Sequence, residues 1–150
     1  MPGRYYLITI VSERRIAWFS IPRNAEAVVA ILHEDGVWRD SKALCWVLMP
    51  DHLHVLLRLG ASEALPQLLN RLKSVTAQAA NRAAGRHGPL WMRSYHDRAL
   101  REEDDVLSVA RYVLGNPVRA GIVQTVDAYP YWVCAWGLDV LIQSQGSDRR

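Results

Sequence analysis

The chain has 150 residues, half of them apolar, with seven prolines, nine glycines and a formal net charge of +3. That composition suits one compact domain with a substantial core. No run approaches the roughly 18 apolar residues of a membrane span, and the apolar stretch in MPGRYYLITIVSERR is too short and interrupted for a secretory signal. A cytoplasmic protein with no membrane contact is expected. Cys45 and Cys134 lie in apolar surroundings without CxxC spacing, which suits reduced core thiols rather than a disulfide or a zinc site.

In chain order, residues 4–11 (RYYLITIV) read as a strand, and IAWFS adds a short extended piece. NAEAVVAILHEDG reads as a helix: Asn24 can cap it, apolar residues recur at 28, 31 and 32, and Gly36 stops it. KALCWVLM (42–49) is apolar on both faces, as in a central strand. Pro50-Asp51 makes a turn, and HLHVLLRL (52–59) returns as its hairpin partner. A second helix starts at Ser62, buries Leu65, Leu68, Leu69, Leu72 and Val75, and ends at Gly85, with Arg71 and Lys73 off the stripe. Residues 88–100 are extended or irregular, with a strand within 91–99. A third helix covers about 102–115, its EEDD carboxylates at the positive end of the helix dipole, and Pro117 closes it. Residues 143–150 read as a disordered tail, leaving a single domain over 1–142. The order β-α-β-β-α-β plus a helix predicts an α+β, ferredoxin-like antiparallel sheet. Right-handed crossovers place two helices on one face and leave the other available for a site.

Between Arg71 and Arg101 seven cations (Arg71, Lys73, Arg82, Arg86, Arg93, Arg98 and Arg101) stand against the single acid Asp97, beside Trp91 and Tyr95. Such a segment is either a solvated basic surface or a polyanion contact, and the interleaved aromatics favour nucleic acid.

Two features point to chemistry. On strand 52–59, Leu53, Val55, Leu57 and Leu59 form one apolar face, while His52, His54, Leu56 and Arg58 share the other. One histidine there would be an ordinary structural residue. Two on one strand face suit a divalent ion, and with no cysteine nearby the site is open, with oxygen ligands and room for a phosphate. On the third helix, positions 106, 109, 110 and 113 trace the packing stripe, whereas Asp105, Ser108, Tyr112 and Asn116 line another side. Tyr112 is either an amphipathic surface residue or a phenolic nucleophile, and Asn116, one turn on, can supply an oxygen ligand. A free phenol is a poor nucleophile at neutral pH and needs a polarised electrophile or a proton acceptor.

MPDHLHVLLRL, then LWMRSYHDRALREEDD, then RYVLGNPVRAGIV, in this order and spacing, resemble the REP-associated tyrosine transposases. These are single-tyrosine HUH nucleases related to the transposases of small single-stranded insertion sequences, and the resemblance runs from GRYYLITI to YPYWVCAW. It implies the HUH nuclease fold, with an appended C-terminal helix bearing the tyrosine. His52 and His54 would be the HUH pair, holding Mg²⁺ or Mn²⁺ against the scissile phosphate. Tyr112 would attack phosphorus and stay linked to the 5′ side of the break while a 3′-OH leaves. Asn116 stands where the insertion-sequence enzymes carry a glutamine ligand, and is shorter. The implied substrate is a single-stranded DNA hairpin of the repetitive extragenic palindrome type, flanked by a GTAG-type tetranucleotide.

Within that resemblance Lys73, Arg93, His96, Arg98 and Arg101 become candidate phosphate contacts, and Arg4, Tyr5 or Trp91 candidate base contacts, Trp91 being better suited to the core than to stacking. His96 matches the family's YHDR but receives no chemical step, and His33 and His87 are ordinary surface histidines. The short links at 60–62 and 100–103 favour a monomer that completes its site in cis over a dimer exchanging its tyrosine helix. Two rivals stand beside this reading: a catalytically silent hairpin-binding protein of the same fold, and a metal-dependent hydrolase that activates water.

Overall fold

The computed structural model describes residues 3–101 and 105–137. The expectations for Glu102–Asp104 and for a tail at 143–150 fall outside them. Five strands, β1 (Tyr5–Val11), β2 (Lys42–Met49), β3 (His52–Arg58), β4 (His96–Ala99) and β5 (Trp132–Cys134), form one antiparallel sheet in the order β4-β1-β3-β2-β5. Helices α1 (Pro22–His33), α2 (Asp35–Trp38) and α3 (Leu65–Ala84) connect the strands in the β-α-β-β-α-β order of the ferredoxin-like arrangement. Two further helices follow β4, α4 (Val106–Leu114) and the single turn α5 (Asn116–Arg119). None of the helices among the described residues is long and apolar enough to cross a membrane.

Strand alternation sorts the side chains into two cores. Ile8, Ile10, Trp46, Leu48, Leu53, Val55 and Leu57 face Val28 and Leu32 of α1 and Leu65, Leu68, Leu69 and Leu72 of α3. Cys45, Val47, Met49 and Leu56 face the other way, against Val109, Ala110, Val113 and Leu114 of α4. Leu56 is fully buried there, so the face expected to stay open is closed over its middle by α4 and accessible only towards its ends. Cys45 and Cys134 are both free thiols, directly opposed across β2 and β5 with their sulfurs 3.4 Å apart.

Several element ends differ from expectation for identifiable reasons. Asn24 does not cap α1; it is buried inside the helix and its Nδ2 donates to the carbonyl of Trp18 at 3.0 Å. IAWFS is not extended, because Trp18–Ser20 coil into a 3₁₀ turn with Phe19 buried and its N–H bonded to the carbonyl of Pro50. Gly36 does not end α1 but lies within α2. Ser62 is drawn away from α3 by Asp40, which accepts from both its N–H and its hydroxyl; α3 begins later, with Gln67 Oε1 accepting from the Ala64 N–H at 3.0 Å. The tyrosine helix does end at Leu114, ahead of Pro117 as expected, but the chain turns once more through α5. The strand β5 was not anticipated, and three residues carry too little alternation to announce it.

Candidate active site

Antiparallel register places directly opposed residues on one side of the sheet. The pairs His96–Thr9, Thr9–His54 and His54–Val47 therefore form one row across β4, β1, β3 and β2. The next row is Arg98–Leu7–Leu56–Cys45, and at the opposite end lie Val11, His52 and Met49. His52, His54, His96 and Arg98 thus share the face covered by α4. His96 stands two strands from His54, about 10 Å by backbone spacing.

The two imidazoles are half-buried, with ring centroids 4.7 Å apart and planes at 84°. Each has its Nδ1 engaged: His52 with Asp51 Oδ1 at 2.7 Å, and His54 with the hydroxyl of Thr9 at 2.9 Å. Asp51 is itself held by Arg15 at 3.5 Å. A carboxylate only accepts, so His52 Nδ1 carries the hydrogen and Nε2 keeps its lone pair. This is the outer support that orients metal-ligating histidines. Burial, then the charges of His52 and Arg119, push the pKa of His54 down to about 4, which leaves its ring neutral near pH 7. Among the described residues no third histidine, cysteine, aspartate or glutamate joins the pair as a ligand group. Any further donors are oxygens from an amide, solvent or substrate.

α4 lies over the same face, packed on β2 and β3. Asp105 caps it, accepting from the N–H of Leu107 at 3.0 Å and from the Ser108 hydroxyl at 2.9 Å. Its apolar stripe points into the core and leaves Tyr112 54% exposed, so the tyrosine is presented rather than packed. A cavity of about 390 Å³ beside it is lined by Leu7, Arg98, Ser108, Val109 and Tyr112. At the end of α4, Pro117 has no N–H to give the Val113 carbonyl four residues back. Asn116 Nδ2 donates to that carbonyl at 2.9 Å and to that of Tyr112 at 3.3 Å. Because carbonyls only accept, this fixes the amide flip and directs Asn116 Oδ1 away from the helix end. The guanidinium of Arg119 lies over the Tyr112 ring, 4.3 Å from its centroid.

Known proteins match this chain in sequence and in fold. The family model described as transposase IS200 like covers residues 2–116. This chain belongs to the IS200-like transposase family. It is 26% identical over 102 residues to a Haemophilus influenzae REP-associated tyrosine transposase, a match spanning 61% of this chain and 57% of that relative. Its fold is that of a REP-associated tyrosine transposase solved bound to a REP hairpin, with a TM-score of 0.66 and 21% identity over 88% of this chain and 77% of that one. A Deinococcus radiodurans protein labelled a transposase shares it at TM-score 0.55 and 20% identity, over 83% and 88% of the two chains.

For this IS200-like transposase the structure gathers most of the candidate residues. His52, His54, His96, Arg98, Tyr112 and Asn116 lie on one side of the sheet or in the helices above it, and Tyr5 packs partly into the core beneath α4. Arg4, Arg93 and Arg101 are exposed in the segments flanking β1 and β4. Lys73 stands apart from this group. It belongs to α3, in the opposite layer, and its Nζ ties down the carbonyls of Met92 and Arg93 at 2.7 Å each, with burial pulling its pKa down. Trp91 is core, with Nε1 donating to Thr76 Oγ1 at 2.9 Å. Sequence reasoning missed Asp51, Thr9 and Arg119. Asp51 stood beside the first histidine and Arg119 seven residues after the tyrosine, whereas Thr9 had no local signal.

Proposed function

We propose that this IS200-like transposase is a single-tyrosine strand transferase that cuts and rejoins single-stranded DNA next to a hairpin. The observation that carries this reading is the sharing of one sheet face by the imidazole pair and the exposed Tyr112, each held by its own supporting contacts. The donor set fits a hard divalent cation: two imidazoles with Nδ1 tied and Nε2 available, no thiolate, and an Asn116 oxygen aimed off the helix. When bound, Mg²⁺ or Mn²⁺ would polarise the scissile phosphate and spread its developing charge. His52 and His54 would hold it, with Asn116 the candidate oxygen donor.

Tyr112 Oη forms a bond to phosphorus as the bond to the 3′ oxygen breaks, giving a 5′-phosphotyrosine and a free 3′-OH. The proton lost from the phenol is balanced by the one gained at the 3′ oxygen, and attack by another 3′-OH reverses the step without a nucleotide cofactor. Arg98 lines the cavity beside Tyr112, and His96, Arg93, Arg101 and Arg4 lie where a DNA backbone could pass on either side of it. The REP hairpin bound in the related REP-associated transposase structure supports hairpin DNA as the substrate class, and a short flanking tetranucleotide is proposed as the place of cleavage. Packing of α4 on its own chain's sheet supports a monomer acting in cis.

The test is incubation with a single-stranded hairpin oligonucleotide and Mn²⁺, followed by a denaturing gel. The reading predicts a covalent protein–DNA band that is lost in Tyr112→Phe. Cleavage that survives this substitution without an adduct would assign the chemistry to water, and binding without cleavage would make the protein a silent hairpin binder.

A further inference from the structure

We propose that Arg119 is a catalytic residue of this site, the cation that receives the scissile phosphate beside Tyr112; the proposal rests on the strand-transfer reading. Two observations carry it. The side chain is folded back rather than extended into solvent: its guanidinium stacks on the Tyr112 ring and donates to the Tyr112 carbonyl. The backbone is shaped to allow this. A Cβ at Gly115 would lie 2.6 Å from Arg119 Nη1, so any other residue there makes the flexible guanidinium move from this place, although the φ of −76° at Gly115 suits any residue.

Arg119 therefore lies directly over the ring of the proposed nucleophile. Among the described residues it makes no salt bridge, unlike Arg71, whose Nη1 lies 2.6 Å from a buried Glu63 carboxylate. An oriented guanidinium with no carboxylate partner, over a nucleophile in an electropositive face, is suited to an anion that arrives with the substrate. Its planar fork can hold a non-bridging phosphate oxygen with one edge while its face keeps the tyrosine ring in line. It gains most as negative charge builds up in the transition state.

The experiment compares wild type, Arg119→Ala and Gly115→Ala in single-turnover adduct formation with Mn²⁺. Two oligonucleotides are used, identical except that one carries a neutral methylphosphonate at the scissile position. If Arg119 neutralises the phosphate, Arg119→Ala slows adduct formation about 100-fold on the phosphodiester and has little effect on the methylphosphonate, where there is no charge to meet. Hairpin affinity should change less than threefold. Gly115→Ala, which displaces the guanidinium without removing it, should give the same pattern more weakly. Equal slowing on both oligonucleotides would make Arg119 a structural prop of the helix end and overturn the proposal, as would an unslowed Arg119→Ala. Absence of any adduct in wild type would instead overturn the strand-transfer reading, and the proposal with it.

Discussion

The two faces of the sheet are built from the same strands but to different ends. On the α1/α3 face the inward positions Ile8, Ile10, Trp46, Leu48, Leu53, Val55 and Leu57 are aliphatic or aromatic and buried, and a charged residue, Asp97, stands there on the edge strand β4. On the α4 face the middle is equally apolar, yet the row at its end replaces aliphatics with Thr9, His54 and His96, and His52 lies one step further. Polar groups at the margin of a core need partners. Here the partners are a carboxylate, a hydroxyl and, for the helix above, an amide and a guanidinium aimed at carbonyls. The contrast teaches that fold information sits in the continuous face, and site information in the places where the second face departs from it.

The largest expected effect separates the faces outright. Leu57→Ala, in the fully buried α1/α3 core, should destabilise the protein by about 2–5 kcal/mol in urea unfolding while any folded fraction still cleaves. His54→Ala should retain most stability and hairpin binding while adduct formation falls by about a thousandfold or more. If His54→Ala unfolds the protein as Leu57→Ala does, the second face is a core like the first. A smaller effect is expected from Asp51→Asn, which leaves His52 in place but replaces the carboxylate that orients it. Mn²⁺ affinity should drop about 10–100-fold in a calorimetric titration, with the fold unchanged by circular dichroism. An unchanged affinity would leave the carboxylate without a role in metal binding.

A further effect is a pH dependence of stability. His54 titrates near 4 when folded against an ordinary 6.5, so the unfolded chain binds the extra proton first. Stability from this group is complete above about pH 6.5 and is lost progressively down to about pH 4, on the order of 3 kcal/mol in all. Thermal melts across that window should show the decline, and His54→Gln should flatten it. A decline of the same size in the variant would place its origin elsewhere.

What could be read from the sequence follows the range of each interaction. The hairpin 42–58 and the buried leucines of α3 were legible because alternation and helical spacing are local patterns. The 3₁₀ turn at Trp18–Ser20 and the late start of α3 were not, since the carbonyl of Pro50 and the side chain of Asp40 decide them from afar. In the site, Tyr112 and Asn116 stood out as a pair one turn apart. Thr9 meets His54 across 45 residues of chain, through sheet register alone. Arg119 was hidden behind Gly115 and Pro117, which read as the end of a helix and turn out to let the chain fold back over the tyrosine.

The most direct measurement is the identity of the linked residue. Wild-type protein is incubated with Mn²⁺ and a hairpin oligonucleotide labelled at its 3′ end, trimmed with nuclease, digested with trypsin and examined by mass spectrometry. Trypsin cuts after Arg111 and Arg119, isolating the tyrosine in YVLGNPVR. The expected result is that this peptide gains the mass of a 5′-phosphorylated nucleotide on Tyr112, and that before nuclease trimming the adduct carries the 3′ label and never a 5′ one. A label on another residue, or cleaved DNA with this peptide unmodified, would contradict the assignment of Tyr112 as the nucleophile.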